Sequence, residues 1–145
     1  YVISKDHKRG AIMLQAIGFI NAAFILYTVG VWSEKIQGKL TAGHLFIFWL
    51  GIICDTLGTM AMGEMAKQNI NGKIQNWVDY LPAHMDFHSL SGSFALALMF
   101  MHACWATYVI FNKKTSLIKN FHKYSVAVWL LWLVPFITGA IYHFR

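Results

Sequence analysis

Residues 89–111 read SLSGSFALALMFMHACWATYVIF, twenty-three positions without an Asp, Glu, Lys or Arg. An apolar run of that length leaves the backbone few choices. In hydrocarbon no water is present to bond N–H and C=O groups, so only helices and closed barrels are viable. About 20 helical residues cross a core of about 30 Å. Three further stretches have the same character, at about residues 11–32, 42–63 and 124–142. Composition agrees: 57% of the 145 residues are hydrophobic and 12% charged, with a mean hydropathy of +0.49. A soluble domain of this size is far more polar. The expected fold is therefore all-α, a polytopic membrane protein with one transmembrane domain over 1–145.

The connections at 33–40 and 112–123 are short, so neighbouring helices should run antiparallel in an up-and-down four-helix bundle. The longer connection, EMAKQNINGKIQNWVDYLPAHMDFH, places Ile70, Ile74, Trp77, Val78 and Leu81 at helical spacing. With Trp77 and Tyr80 suited to the headgroup zone, it predicts a short interfacial helix over about residues 69–81. Pro135 is expected to kink the fourth helix. The first span lacks the short apolar core and small-residue cleavage site of a removable signal. Net charge is +6, yet the two membrane faces carry six Lys or Arg each, counted from the connections. The dense cluster at 113–123 favours that face as cytoplasmic, with both termini outside. Cys54 and Cys104 read as small packing residues inside spans.

Ionisable groups inside a membrane are costly and mark function. His88 and His102 lie fourteen residues apart, about 21 Å of helix and nearly four whole turns. They point the same way from two depths. Ser91, Gly92, Ala95 and Ala106 share that face and leave room for something flat. The second span aligns His44, Gly51, Asp55 and Gly58; the fourth aligns His122, Ser125, Trp129, Trp132, Phe136, Gly139 and His143. By height, His88 pairs with His143, and His102 with His44 or, second, His122. Two imidazoles facing across a bundle are what a haem iron takes as axial ligands. The expected cofactor is one or two haem b groups, with His102, His44, His88 and His143 on iron, and Gly92 and Ala95 beside the porphyrin.

Other residues have blander readings. His84 suits an interfacial position, and the tryptophans suit belt and packing roles. Asp55, in CDTLGTM, either relays protons or makes a neutral interhelical hydrogen bond. HMDFH places His84 and His88 four apart, as in metal hydroxylases, but the remaining histidines are spread over both faces. There is no Gly-rich phosphate loop, nucleophile elbow or Cys-pair zinc site.

The histidine spacing resembles that of four-helix membrane cytochromes b. The stretches YTVGVWSEKIQGKL, HLFIFWLGIICDTLGTMAMGE, HSLSGSFALALMFMHACWA and FHKYSVAVWLLWLVPFITG also resemble the HsmA-type family of small bacterial and archaeal membrane proteins. That resemblance implies a four-helix protein of the cytoplasmic (inner) membrane and includes His44, Asp55, His88, His102 and His122. The function expected from the histidines is haem b-binding electron transfer, alone or as a cytochrome-like subunit of a larger membrane complex, rather than a stand-alone enzyme. Two other classes compete: a non-redox scaffold subunit, and a small proton-linked transporter centred on Asp55. Expected partners are the lipid bilayer and other membrane subunits or further copies of the chain, with no nucleic acid. Cysteines introduced at Lys114 and at Lys73 are expected to react with an impermeant label from opposite sides of the membrane. Labelling from one side would remove the four-span topology.

Overall fold

In the computed structural model the chain forms four long helices: α1 (Val2–Gln37), α2 (Ala42–Ile70), α3 (Phe87–Asn112) and α4 (Thr115–His143). The structure describes the backbone of residues 2–70, 87–112 and 115–143, with side chains at 7–65, 88–112 and 120–141. No strand occurs among the described residues. Each helix contains a stretch long and apolar enough to cross a membrane: His7–Gln37, Ala42–Met65, His88–Asn112 and Asn120–Ile141. The outward surface is apolar as well, with Leu14, Ile25, Phe46, Phe94, Met101 and Phe111 exposed. A soluble bundle would hide such residues; here they are suited to lipid. The fold is the expected all-α four-helix bundle.

The helices outrun the apolar stretches that announce them. α1 begins at Val2, not near residue 11, and α4 at Thr115, not near 124. Hydropathy marks only the lipid-facing part, whereas backbone hydrogen bonding continues into the polar zone. α4 runs through Pro135 without a break. The interfacial helix expected over 69–81 falls, past Ile70, outside the described residues.

α1 packs chiefly on α2 and α3 on α4, while α2 meets α3 and α1 meets α4. The α1–α2 corner is tight. Gly38 follows α1 with φ at 60°, the left-handed conformation that ends many helices and that glycine adopts without strain. Thr41 then caps α2: its backbone N–H donates to His44 Nδ1 at 3.2 Å, and the His44 N–H reaches Thr41 Oγ1 at 3.5 Å. This is a reciprocal capping arrangement with histidine in the place of the usual Glu or Gln.

Glycines set the closeness of the α1–α2 seam. A Cβ on Gly51 would lie 2.5 Å from the Tyr27 ring, one on Gly58 2.6 Å from Ile20, and one on Gly30 2.7 Å from Phe48. Small residues let membrane helices approach, where packing rather than water expulsion drives association. Tyr27 and Phe48 are wholly buried as a result. Gly51→Val should lower stability by about 1–3 kcal/mol, the cost of overpacking, measured as a lower unfolding midpoint in detergent. Gly63→Val, with open space around the added carbon, should leave the midpoint nearly unchanged.

Candidate functional site: buried carboxyls and imidazoles

Glu34, His44, Asp55, His102 and Ser125 are the buried polar and charged side chains of the described interior. They form two groups at different depths. The deeper is built on Asp55 of α2, which lies near the middle of its apolar span. Its Oδ2 accepts from Trp132 Nε1 of α4 at 2.8 Å and from the Tyr27 hydroxyl of α1 at 3.3 Å. Three helices therefore meet on one carboxyl oxygen. The donors are held by aromatic packing: Tyr27 sits edge-on to Trp132 at 5.2 Å, and Phe136 stacks on Trp132 at 5.5 Å. Phe24 stacks on Phe136 at 4.8 Å. With both donors locked, the carboxyl has a fixed position at mid-span.

The second group lies toward the α1–α2 corner. Glu34, wholly buried on the last turn of α1, is paired through Oε1 with His122 Nδ1 of α4. One turn deeper on α4, the Ser125 hydroxyl is hydrogen-bonded to His102 Nε2 of α3 at 3.2 Å. His44 of α2, held in the Thr41 cap, lies at the same corner. Two buried atoms of this group, Glu34 Oε2 and His102 Nδ1, have no hydrogen-bond partner among the described residues. Such atoms are costly to bury.

The histidines expected to hold haem are arranged otherwise. Phe121 lies flat over the His102 ring at 4.7 Å and Phe48 meets it edge-on at 5.0 Å. The thickness a porphyrin would need beside His102 is filled by those two rings. His44 Nδ1 accepts the Thr41 N–H, which puts the ring proton of neutral His44 on Nε2. An axial ligand has the reverse arrangement, with Nδ1–H donating to an anchor and the Nε2 lone pair on the metal. The packing around His102 and the Thr41 bond to His44 lend the His44–His102 pairing no support. The same stacked Phe121 ring lies beside His102 whichever of His44 and His122 is taken as its partner.

At the opposite end His88 Nδ1 is hydrogen-bonded to Thr138 Oγ1 at 3.3 Å. Its ring packs where a Gly139 side chain would stand, 2.7 Å from the Cβ position. The side chain of His143, and the whole of His84, lie outside the described residues. The small face of α3 is divided. Ala95 is buried in the packed core with Met99, Ala103 and Ala106, whereas Gly92 has open space where a side chain would begin. A continuous slot along that face is absent among the described residues, because α2 and α4 fill its inner half.

Three tryptophans do more than pack. Besides Trp132, Trp129 Nε1 donates to Thr28 Oγ1 at 3.1 Å and Trp49 Nε1 to Thr107 Oγ1 at 3.3 Å, each joining two helices. The residues that sequence reading missed are Glu34 and Tyr27. Glu34 falls within the connection expected at 33–40. Yet Ala16, Ala23, Tyr27, Val31 and Glu34 are all buried on α1, and their three-, four- and seven-residue spacing continues one stripe into the last turn.

The chain matches no family model, no curated protein and no solved structure. Site chemistry therefore has to be read from the side chains. Among the described residues no group of three or more His, Cys, Asp and Glu is placed to hold a metal ion. What the arrangement supplies is exchangeable protons: two carboxyls and three imidazoles inside an apolar bundle. Asp55 should behave energetically as one unit with its donors. Trp132→Phe is expected to cost about 1–2 kcal/mol of stability, and to cost little in an Asp55→Ala background. A double-mutant cycle measures that coupling; additive losses would mean that the hydrogen bond contributes nothing.

Proposed function

We propose that the chain is a small proton-translocating membrane protein in which Asp55 takes up and releases the proton at mid-span. The observation that carries this reading is the Asp55 carboxyl, nearly fully buried and held by donors from two other helices. An Asp at the centre of a membrane helix costs about 2.5–3.5 kcal/mol on insertion scales. A bundle that needed only an interhelical tie could use a neutral amide or hydroxyl at lower cost. The bundle already does so between Trp129 and Thr28. The second carboxyl, Glu34, lies nearer one membrane face and is paired with a partly exposed histidine. Two acids at two heights supply successive stations for a proton, which a scaffold does not require. The HsmA-type resemblance is compatible with this reading, and no activity is transferred from it.

The haem reading draws no support from the packing around His102, and it remains the alternative that a single spectrum addresses. In proteoliposomes under an imposed pH gradient, the wild-type protein should dissipate the gradient faster than empty vesicles. Asp55→Asn, which preserves side-chain volume and a hydrogen-bond acceptor, should remove that excess. Equal rates for wild type and Asp55→Asn overturn the proposal. A Soret band in protein purified from haem-replete cells, abolished by His102→Ala, would replace it with the electron-transfer reading.

A further inference from the structure

The two ends of the bundle carry equal numbers of Lys and Arg, but the acids are divided unevenly. Asp6, Glu64, Asp79 and Asp86 belong by sequence to the start of α1, the end of α2 and the segment joining α2 to α3. Asp55 is at mid-span. Glu34 is the acid at the other end, where Lys35, Lys39, Lys113, Lys114, Lys119 and Lys123 lie. It offsets little of their charge at the surface, because it is wholly buried and paired with His122. Lys35, Lys39 and Lys123 form no ion pair among the described residues. This end is a cationic rim that its own acids do not neutralise.

One lysine of the rim is held in place. Lys35 Nζ lies over the Trp32 ring, 4.8 Å from its centre, a cation–π contact that positions the ammonium and leaves its charge intact. Trp32 is fixed in turn, edge-on to Trp129 of α4 at 6.0 Å. Trp129 is tied back to α1 through Thr28, its indole N–H donating at 3.1 Å. These residues make a ledge across the α1–α4 seam, just inside the Gln37 end of the first span. Trp32 is still 39% exposed, and its indole N–H makes no hydrogen bond among the described residues. Val29 and Ile25, three and seven residues before it, are exposed and continue the same side of α1 toward the bilayer centre.

We propose that this ledge binds the headgroup of an anionic phospholipid. The phosphate would rest against Lys35 Nζ and the Trp32 indole N–H, with an acyl chain along Val29 and Ile25. The proposal is independent of the proton-translocating reading. Charge complementarity selects the occupant. A zwitterionic headgroup brings its own ammonium to a rim that is already cationic, whereas an anionic one does not. The ammonium and the indole N–H are donors only, which suits the acceptor oxygens of a phosphate. Free inorganic phosphate presents the same oxygens but has no chain to lay on Val29 and Ile25. A tryptophan and lysine serving only the headgroup belt would take either lipid equally.

The test is tryptophan quenching in phosphatidylcholine vesicles that contain a small fraction of lipid brominated on its acyl chains, with helix content recorded for each variant. In the wild type, brominated phosphatidylglycerol should quench more strongly than brominated phosphatidylcholine at the same fraction. Lys35→Gln should lower that preference about fivefold, the weight of one lysine beside an anionic lipid surface. Lys39→Gln, exposed on the same rim, should leave most of it. Trp32→Phe should remove most of the excess quenching, because Trp32 is the reporter beside the bound chain. Inorganic phosphate, compared with chloride at equal ionic strength, should leave the preference unchanged. Equal quenching of the wild type by the two lipids overturns the proposal. Equal losses from Lys35→Gln and Lys39→Gln leave only a diffuse rim and overturn the site. Excess quenching that survives Trp32→Phe places the lipid elsewhere and overturns it too, and displacement by phosphate overturns a lipid as the occupant. The Asp55 reading is decided separately, by proton flux.

Discussion

The bond from Trp132 and Tyr27 to Asp55 ties α4 and α1 to α2 at a single carboxyl oxygen, and much of the interior is arranged so that it can form. In a hydrocarbon environment no solvent will satisfy a carboxyl that misses its partners. The helices must therefore approach at a height and rotation that bring two ring donors to one atom. Gly51 gives Tyr27 the space to lie flat on α2, and the stacked Phe24, Trp132 and Phe136 rings hold the indole in place. Gly30 and Gly58 continue the same close seam toward either end.

The second polar group depends on the corner where α1 turns into α2. Gly38 ends α1 in a conformation that a side chain resists, and Thr41 with His44 restarts the chain four residues later. That tight corner places the last turn of α1 and the first of α2 beside the start of α4. Glu34 then meets His122. A longer corner would let Glu34 turn outward to the headgroups. The same geometry explains why Glu34 escaped a reading by hydropathy: it lies in a polar stretch, SEKIQGKL, that looks like a loop until the helix is seen to run to Gln37.

Electrostatics and packing point the same way for the histidines. His102 is buried among aromatic rings and touches a hydroxyl, not another imidazole. His88 is matched to Thr138 and the small surface of Gly139. The fourteen-residue spacing does put the two on one face of α3. It says nothing about what the neighbouring helices present to that face, and here they present a serine and two phenylalanines to one histidine and a threonine to the other.

The residues alone determined that this chain makes four apolar helices, that short connections make them antiparallel neighbours, and that His44, Asp55, His102 and Ser125 point inward. Those properties follow from length, charge and helical period, which are local. Partnership is not local. Each helix is apolar nearly all round, so the sequence carries little periodic contrast to show which side meets which neighbour. Relative height and rotation are then decided by where glycines permit contact and where buried polar atoms can be satisfied. Those two conditions, which exist only once four helices are together, joined Asp55 to Tyr27 and Trp132, Glu34 to His122, and His102 to Ser125.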